Sequence, residues 1–239
     1  MRLVETRGGV RIVKTVAITM RTPGDDEELA LGFLFTEGIL QRPEQVASVL
    51  VVPSRGFVEV ELAPHVTVDW KRLERHFYVS SSCGVCGKAS VDLVRARLPQ
   101  PPPAGFRLSG QVLGSLPERL RLAQDAFVAT GGIHAAGLFT PAGELVALRE
   151  DVGRHNAVDK VIAAAWRDGC TNGCVLMLSG RASFELVQKA AMARIPVVAA
   201  VGAPSSLAVE LAESAGVTLA GFVRAERWNV YCGGERIVA

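Results

Sequence analysis

The chain is short of cysteine: 5 in 239 residues, an odd number with no disulfide-framework spacing. It therefore does not read as a small secreted scaffold. Charge of either sign is not in excess, with a net +2 and a pI near 8.3, which argues against bulk nucleic-acid binding. Long apolar runs are missing too. The longest, such as VLML and PVVAAV, are far too short to span a bilayer. The N-terminus, MRLVETRGGVRIVKT, has charges where a secretory signal would have an apolar core, so the expected location is the reducing cytoplasm. There is no P-loop, no G-x-G-x-x-G and no internal repeat. What is present is apolar content of 49%, enough for a core without a metal or disulfide staple.

Proline divides the chain. LPQPPPAGFRLSG (98–110) cannot form a regular element. Before it, VRIVKTVAITM reads as a strand pair or one long strand, and PGDDEELALGFLFTEGIL as a helix with acids in its first turn. EQVASVLVVP and GFVEVELAP read as a short helix–strand mix, giving an α+β N-terminal part. After the linker, LPERLRLAQDAFVAT reads as one helix, and IHAAGLF and ELVALRED as strands joined by T-P-A-G. Helices at NAVDKVIAAAWRDG, ASFELVQKAAMARI and SSLAVELAESAG then alternate with strands at CVLMLSG, PVVAAVGAP and VTLAGFVRAERWNVY. This α/β alternation predicts a mostly parallel sheet covered on both faces. The expected division is a small α+β domain (1–80), a cysteine loop, short helix and linker (81–110), and an α/β domain (111–239).

Three strand-to-helix junctions share one design: DVGRHNAVDK, LSGRASFELVQK and VGAPSSLAVEL. Helix N-termini present free N–H groups, and in open α/β sheets such turns lie where ligands bind. Arg154, Gly180-Arg181, Ser183 and Ser205 are therefore candidate contacts for an anionic, nucleotide-like ligand. The plain alternative is that Asp151, Ser183 and Ser205 are ordinary caps and the arginines are solvated.

The stretch SSCGVCGKAS (81–90) holds two of the cysteines, Cys83 and Cys86. A C-x-x-C serves structural zinc, redox dithiols and sulfur-carrying thiolates. A four-thiolate zinc site with Cys170 and Cys174 would have to join pairs most of a domain apart, and Cys174 opens an apolar strand. A zinc deaminase is also excluded: GGIHAAGL offers His134, but Ala136 stands where the catalytic Glu would be, and no P-C-x-x-C follows. In C-G-V-C the glycine permits a tight loop and Lys88 supplies a cation, conditions that lower a thiol pKa. A Ser/Gly-rich loop suits a thiol that visits two partners.

Together, SSCGVCGK, TGGIHAAGL, EDVGRHNAVDK, SGRASFELVQKAA, APSSLAVELA and GFVRAERWNVY resemble the formate dehydrogenase accessory sulfurtransferase family, FdhD. The resemblance runs in order from about residue 20, and nothing is carried over onto residues 1–20. It implies a three-layer, cytidine-deaminase-like C-terminal domain without the zinc. It also implies a sulfurtransferase. A cysteine desulfurase hands persulfide sulfur to Cys83, with Cys86 as resolving or assisting thiol. The sulfur then goes to a molybdenum bis(molybdopterin guanine dinucleotide) cofactor destined for formate dehydrogenase. The family's cofactor-binding stretch falls on Phe222, Val223, Arg224, Ala225, Glu226 and Arg227. A homodimer, with no nucleic acid, membrane or structural metal, completes the expectation. The rival of another class is a non-catalytic chaperone of the pterin dinucleotide.

Overall fold

A computed structural model describes residues 1–68, 70, 98–167 and 169–238. β1 (Arg2–Arg7) and β2 (Val10–Thr15) form a hairpin turned at Gly8-Gly9, both at positive φ, which only glycine adopts freely. β1 also lies parallel to β4 (Phe57–Leu62), which pairs antiparallel with β3 (Val46–Val52), giving the order β2-β1-β4-β3. The expected helix–strand mix is thus corrected to two strands. The helical part shrinks to a 3-10 turn at Pro43–Gln45, because VASVLVV is rich in β-branched valine. RLVETR, with Leu3 and Val4 as its apolar residues, becomes a strand because β2 and β4 flank it.

α1 (Asp26–Thr36) carries the anticipated acids in its first turn, then buries most of its surface between this sheet and α4 (Arg154–Trp166). The two helices cross at Gly32, where a Cβ would lie 1.9 Å from the carbonyl oxygen of Asp159.

After β5 (Leu108–Ser109), a two-residue strand paired parallel to Ile237–Val238, a six-stranded sheet follows. It contains β6 (His134–Phe139), β7 (Leu145–Asp151), β8 (Val175–Leu178), β9 (Val197–Ala200), β10 (Thr218–Arg224) and β11 (Arg227–Cys232), in the order β11-β10-β9-β8-β6-β7. Only β8–β9 and β9–β10 are parallel; β6 runs antiparallel to both β7 and β8, and β11 to β10. The expectation of a mostly parallel sheet is therefore corrected to a mixed one. The T-P-A-G turn makes β6–β7 a hairpin, and Ala225-Glu226 folds the anticipated last strand back on itself.

Alternate residues serve opposite faces, as strand geometry requires. Leu176, Leu178 and Val198 face α4, α5 (Phe184–Met192) and α6 (Ser206–Ala215), in a core that continues through α1 to Leu3, Val58 and Val60. Val175, Met177, Val197 and Ala199 face α2 (Gly110–Leu122), through Leu113, Leu116 and Leu120. The single helix expected from LPERLRLAQDAFVAT is two: α2 ends at Leu122 and α3 spans Asp125–Thr130. Glu150 of β7 sets the break, accepting hydrogen bonds from the N–H groups of Ala126 (2.7 Å) and Phe127 (2.9 Å) at the start of α3. Among the described residues no helix is long and apolar enough to cross a membrane.

Candidate functional site

The strand order brings the three glycine- and serine-bearing turns to one sheet edge. Parallel β8, β9 and β10 end side by side, and the chain beyond them stays hydrogen-bonded. Gly202 N–H donates to Gly180 O (3.0 Å), Ala182 N–H to Ala203 O (3.1 Å), Ser205 N–H to Ala182 O (3.0 Å) and Phe222 N–H to Gly202 O (3.1 Å). Antiparallel β6 begins at the same edge and β7 ends there, with His134 opposite Asp151. Close approach needs glycine at two points. A Cβ on Gly202 would come within 3.0 Å of the Arg181 side chain, and one on Gly221 within 3.0 Å of Pro204.

In the stretch 222–227, Val223 is buried and anchors the strand, while Phe222, Arg224, Ala225, Glu226 and Arg227 are exposed. Phe222 is held at φ 54, in the left-handed region, where the β10–β11 register shifts. Such strain in a non-glycine residue collects at functional sites. Phe222, Arg224, Arg227, Trp228 and Asn229 line an open groove of about 360 Å³. Arg224 donates through Nη1 to the carbonyls of Val201 (3.1 Å) and Val223 (2.8 Å), fixing its guanidinium across the end of β9. The groove hairpin rests on α2. A Cβ on Gly114 would lie 2.2 Å from Ala225 O, and one on Gly110 would lie 2.9 Å from the Trp228 ring.

The junction DVGRHNAVDK splits into two sets. Asp151, Asn156 and Lys160 are buried and structural. Asp151 accepts from Gly153 N–H (2.9 Å), Asn156 Nδ2 (2.9 Å) and Thr22 N–H (3.1 Å), and pairs with Lys160 Nζ at 2.9 Å. Lys160 also donates to Thr22 O (3.1 Å) and Asn156 Nδ2 to Met20 O (2.8 Å), so residues 20–22 are stitched to the start of α4. Asp159 forms a second buried pair with Lys189 (2.9 Å) and accepts from Thr36 Oγ1 (2.7 Å). Arg154 and His155 are the two left facing the edge. Arg154 Nε is buried and has no hydrogen-bond partner among the described residues.

His155 Nε2 lies 3.5 Å from Ser183 Oγ and 3.8 Å from Glu185 Oε2. Both neighbours approach the same ring nitrogen, so this is not a charge-relay arrangement. The neighbouring His155 ring is the main cause holding the Glu185 carboxyl down at about 2. Burial, then the neighbouring Arg154 and His155, push the His134 imidazole below its ordinary value. Ser205 caps α6, its Oγ accepting from Ala208 N–H (3.2 Å); Ser183 makes no such cap and faces His155. Arg181 is exposed beside Gly202. Among the described residues, Arg154, Arg181, Arg224 and Arg227 form no ion pair, whereas Arg2, Arg11, Arg21, Arg149 and Arg167 each do.

Cys83, Cys86 and Lys88 lie outside the described residues. Cys170 is exposed. The Cys174 thiol is buried, pushed up to about 11 by desolvation, and donates to Cys170 O (3.1 Å). Burial also raises the Cys232 thiol, which donates to Val217 O (3.3 Å). Neither has the lowered pKa of a nucleophile. Ala136, in the position of a deaminase Glu, is fully buried in the sheet.

The sequence profile of the FdhD/NarQ family matches residues 9–238. The chain belongs to the FdhD/NarQ family. "Sulfur carrier protein FdhD" of Streptomyces avermitilis is 52% identical over 238 residues, covering 94% of this chain and 84% of the relative. The protein of the same name from Streptomyces coelicolor is 51% identical, with the same coverage. A crystal structure described as a putative formate dehydrogenase accessory protein from Desulfotalea psychrophila superposes with a TM-score of 0.72 at 28% identity. It covers 100% of this chain and 98% of that one.

Sequence reasoning missed His155 and Glu185, and the glycine seat under the hairpin. The seat had a legible signal in the i, i+4 pair Gly110/Gly114. Glu185 had none, because its role follows from the packing of α5 against α4.

Proposed function

We propose that this protein is a sulfur carrier that takes sulfane sulfur from a cysteine desulfurase on Cys83 and delivers it to the molybdenum of a bis(molybdopterin guanine dinucleotide) cofactor used by formate dehydrogenase. Family membership supports the sulfur-carrier half, through relatives of that name. The observation that supports the cargo half is the set of arginines that form no ion pair among the described residues, Arg154, Arg181, Arg224 and Arg227, gathered on one sheet edge beside helix N-termini. Unpaired guanidinium groups bind pyrophosphate through directional, charge-assisted hydrogen bonds. In this reading the C-terminal half is a deaminase-like layered domain in which Ala136 has replaced the acid–base residue and a cargo pocket has replaced the zinc chemistry.

The chemistry balances. The Cys83 thiolate attacks the outer sulfur of the donor's persulfide, a sulfur–sulfur bond forms on Cys83, and the donor leaves as its thiolate. Release takes one of two routes. In one, the terminal sulfur passes directly to molybdenum as a neutral sulfur atom, leaving the Cys83 thiolate, while the cargo metal supplies the two electrons that make that sulfur a sulfido ligand. In the other, Cys86 attacks the Cys83 sulfur, forming a Cys83–Cys86 disulfide and freeing hydrosulfide with two electrons from the thiols. The deciding experiment is intact mass after incubation with desulfurase and cysteine. A gain of one sulfur atom, reversed by reductant and absent in Cys83→Ala, is expected. An unchanged mass with normal cofactor binding selects a chaperone without transfer chemistry.

A further inference from the structure

His134, Arg154 and His155 converge at the corner where β6 begins, β7 ends and α4 and α5 start. The corner lies on the β7 side of the edge, away from the 222–227 groove on β10–β11. We propose that these three residues form one oxyanion subsite, which binds a phosphate group together with a proton that His134 takes up from solvent.

Three observations carry it. The Arg154 Nε atom is buried and has no acceptor among the described residues, an unsatisfied donor that an incoming phosphate oxygen would complete. Gly180 borders the Nδ1 side of the His134 ring without a side chain of its own: a Cβ there would lie in ordinary contact, 3.5 Å from Nδ1. Nearby negative charge is already committed. Asp151 is buried against Lys160, Asn156 and the Gly153 N–H, and Glu185 is paired with His155. Beyond burial, the groups that act on the proton affinity of His134 are thus Arg154 and His155 from α4, with Arg181 on the adjoining turn exposed.

The direction of the linkage follows. In the free protein burial, then Arg154 and His155, push the His134 imidazole down, which favours its neutral form. A phosphate dianion placed among them reverses the electrostatic sign and offers an acceptor to the imidazolium, so the bound-state pKa rises and binding takes up a proton. Affinity is then greatest at low pH and falls as pH rises through the bound-state pKa. A rise of about one unit corresponds to about half a proton per ligand at the midpoint and about a tenfold loss of affinity across the window.

The probe is GDP, chosen because the proposed cargo is a guanine dinucleotide; the inference rests on that reading for its probe. GDP is titrated calorimetrically near pH 6.5 in a buffer of low and one of high ionisation enthalpy. The expected result is about half a proton taken up per GDP, abolished in His134→Gln, which also binds up to about tenfold more weakly at pH 6.5 and equally at pH 8.5. The phosphate's own ionisation works against this result, because a cationic site releases the ligand's proton. Buffer-independent heat in the wild type, or uptake that survives His134→Gln, overturns the proposal. If GDP fails to bind but pyrophosphate binds with the same uptake, the subsite stands and the guanine cargo falls. If neither binds, both fall. Should His134→Gln not fold, Arg154→Gln must raise the ring titration of one of the 4 histidines in proton NMR without ligand; no such rise refutes the coupling.

Discussion

Replacing Gly114 with alanine separates two physical effects that act in opposite directions. Gly114 lies inside α2, where alanine is favoured over glycine by about 0.8–1 kcal/mol. A helix considered alone would be stabilised. In the folded protein, however, the new methyl would lie 2.2 Å from the carbonyl oxygen of Ala225 and 3.2 Å from that of Arg224. Comfortable separation is about 3.5 Å, so the hairpin turn must recede by about 1 Å. Overpacking of this kind costs about 1–3 kcal/mol, leaving a net destabilisation of about 0–2 kcal/mol. The effect on binding is larger than the effect on stability. Arg224 holds its place across β9 through a 3.1 Å hydrogen bond to Val201 O, and the turn carries Arg227. Losing one arginine–phosphate contact costs about 1.5–3 kcal/mol, a ten- to hundred-fold fall in GDP affinity. Calorimetric titration with a parallel thermal melt reads both quantities. A variant that melts higher than the wild type and binds GDP unchanged would refute the view that α2 seats the site.

Gly32→Ala meets the Asp159 backbone, with the methyl 1.9 Å from its carbonyl oxygen and 2.5 Å from its carbonyl carbon. It is expected to lose about 2–3 kcal/mol or more, and a denaturant titration showing less than 0.5 kcal/mol (roughly the scale of a neutral surface change) would contradict the packing of α1 on α4. Lys189→Met strips the buried Asp159 of its cation and is expected to cost about 3–5 kcal/mol, most of it recovered in Lys189→Met/Asp159→Asn; a double-mutant cycle without recovery would show that the charges act independently. The Glu185 carboxyl lies at about 2, below its ordinary 4.5, so its stabilising contribution is present above 4.5 and lost as pH falls toward 2. Glu185→Gln is expected to flatten the acid-unfolding curve in that window, and identical curves would remove the pairing with His155.

Legibility from sequence followed the range of the forces involved. The helices at Arg154–Trp166, Phe184–Met192 and Ser206–Ala215, and the buried strands between them, carry local signals: caps, apolar runs and glycine stops. So does the β6–β7 hairpin, announced by T-P-A-G. The direction of the sheet was less legible, because β11 is specified by a fold-back at Ala225-Glu226 that contains neither glycine nor proline. The strand at Arg2–Arg7 was not legible at all, because besides its hairpin partner it is held by β4, 57 residues on (Arg2 opposite Glu59). At the site, arginine and glycine positions could be read from the junction motifs. Which of them share an edge could not, because that depends on the order β10-β9-β8-β6-β7.

The junction at residues 151–160 shows how a buried acid can sit beside an arginine without neutralising it. Asp151 is three residues from Arg154, close enough to neutralise it if the carboxylate were exposed and free to turn. Instead both oxygens are occupied, one by Gly153 N–H and Asn156, the other by Lys160 and Thr22 N–H. The same bonds pin residues 20–22 across the start of α4, where Val152 N–H donates to Thr22 Oγ1 at 2.9 Å. A buried charge left without such partners would be strongly unfavourable, and breaking the pair on one side costs several kcal/mol (~3–5). Lys160 and Asn156 therefore do more than hold a helix in place. By committing the negative charge of Asp151 inward, they leave the guanidinium of Arg154 without a counter-ion among the described residues, and so free to meet an anion.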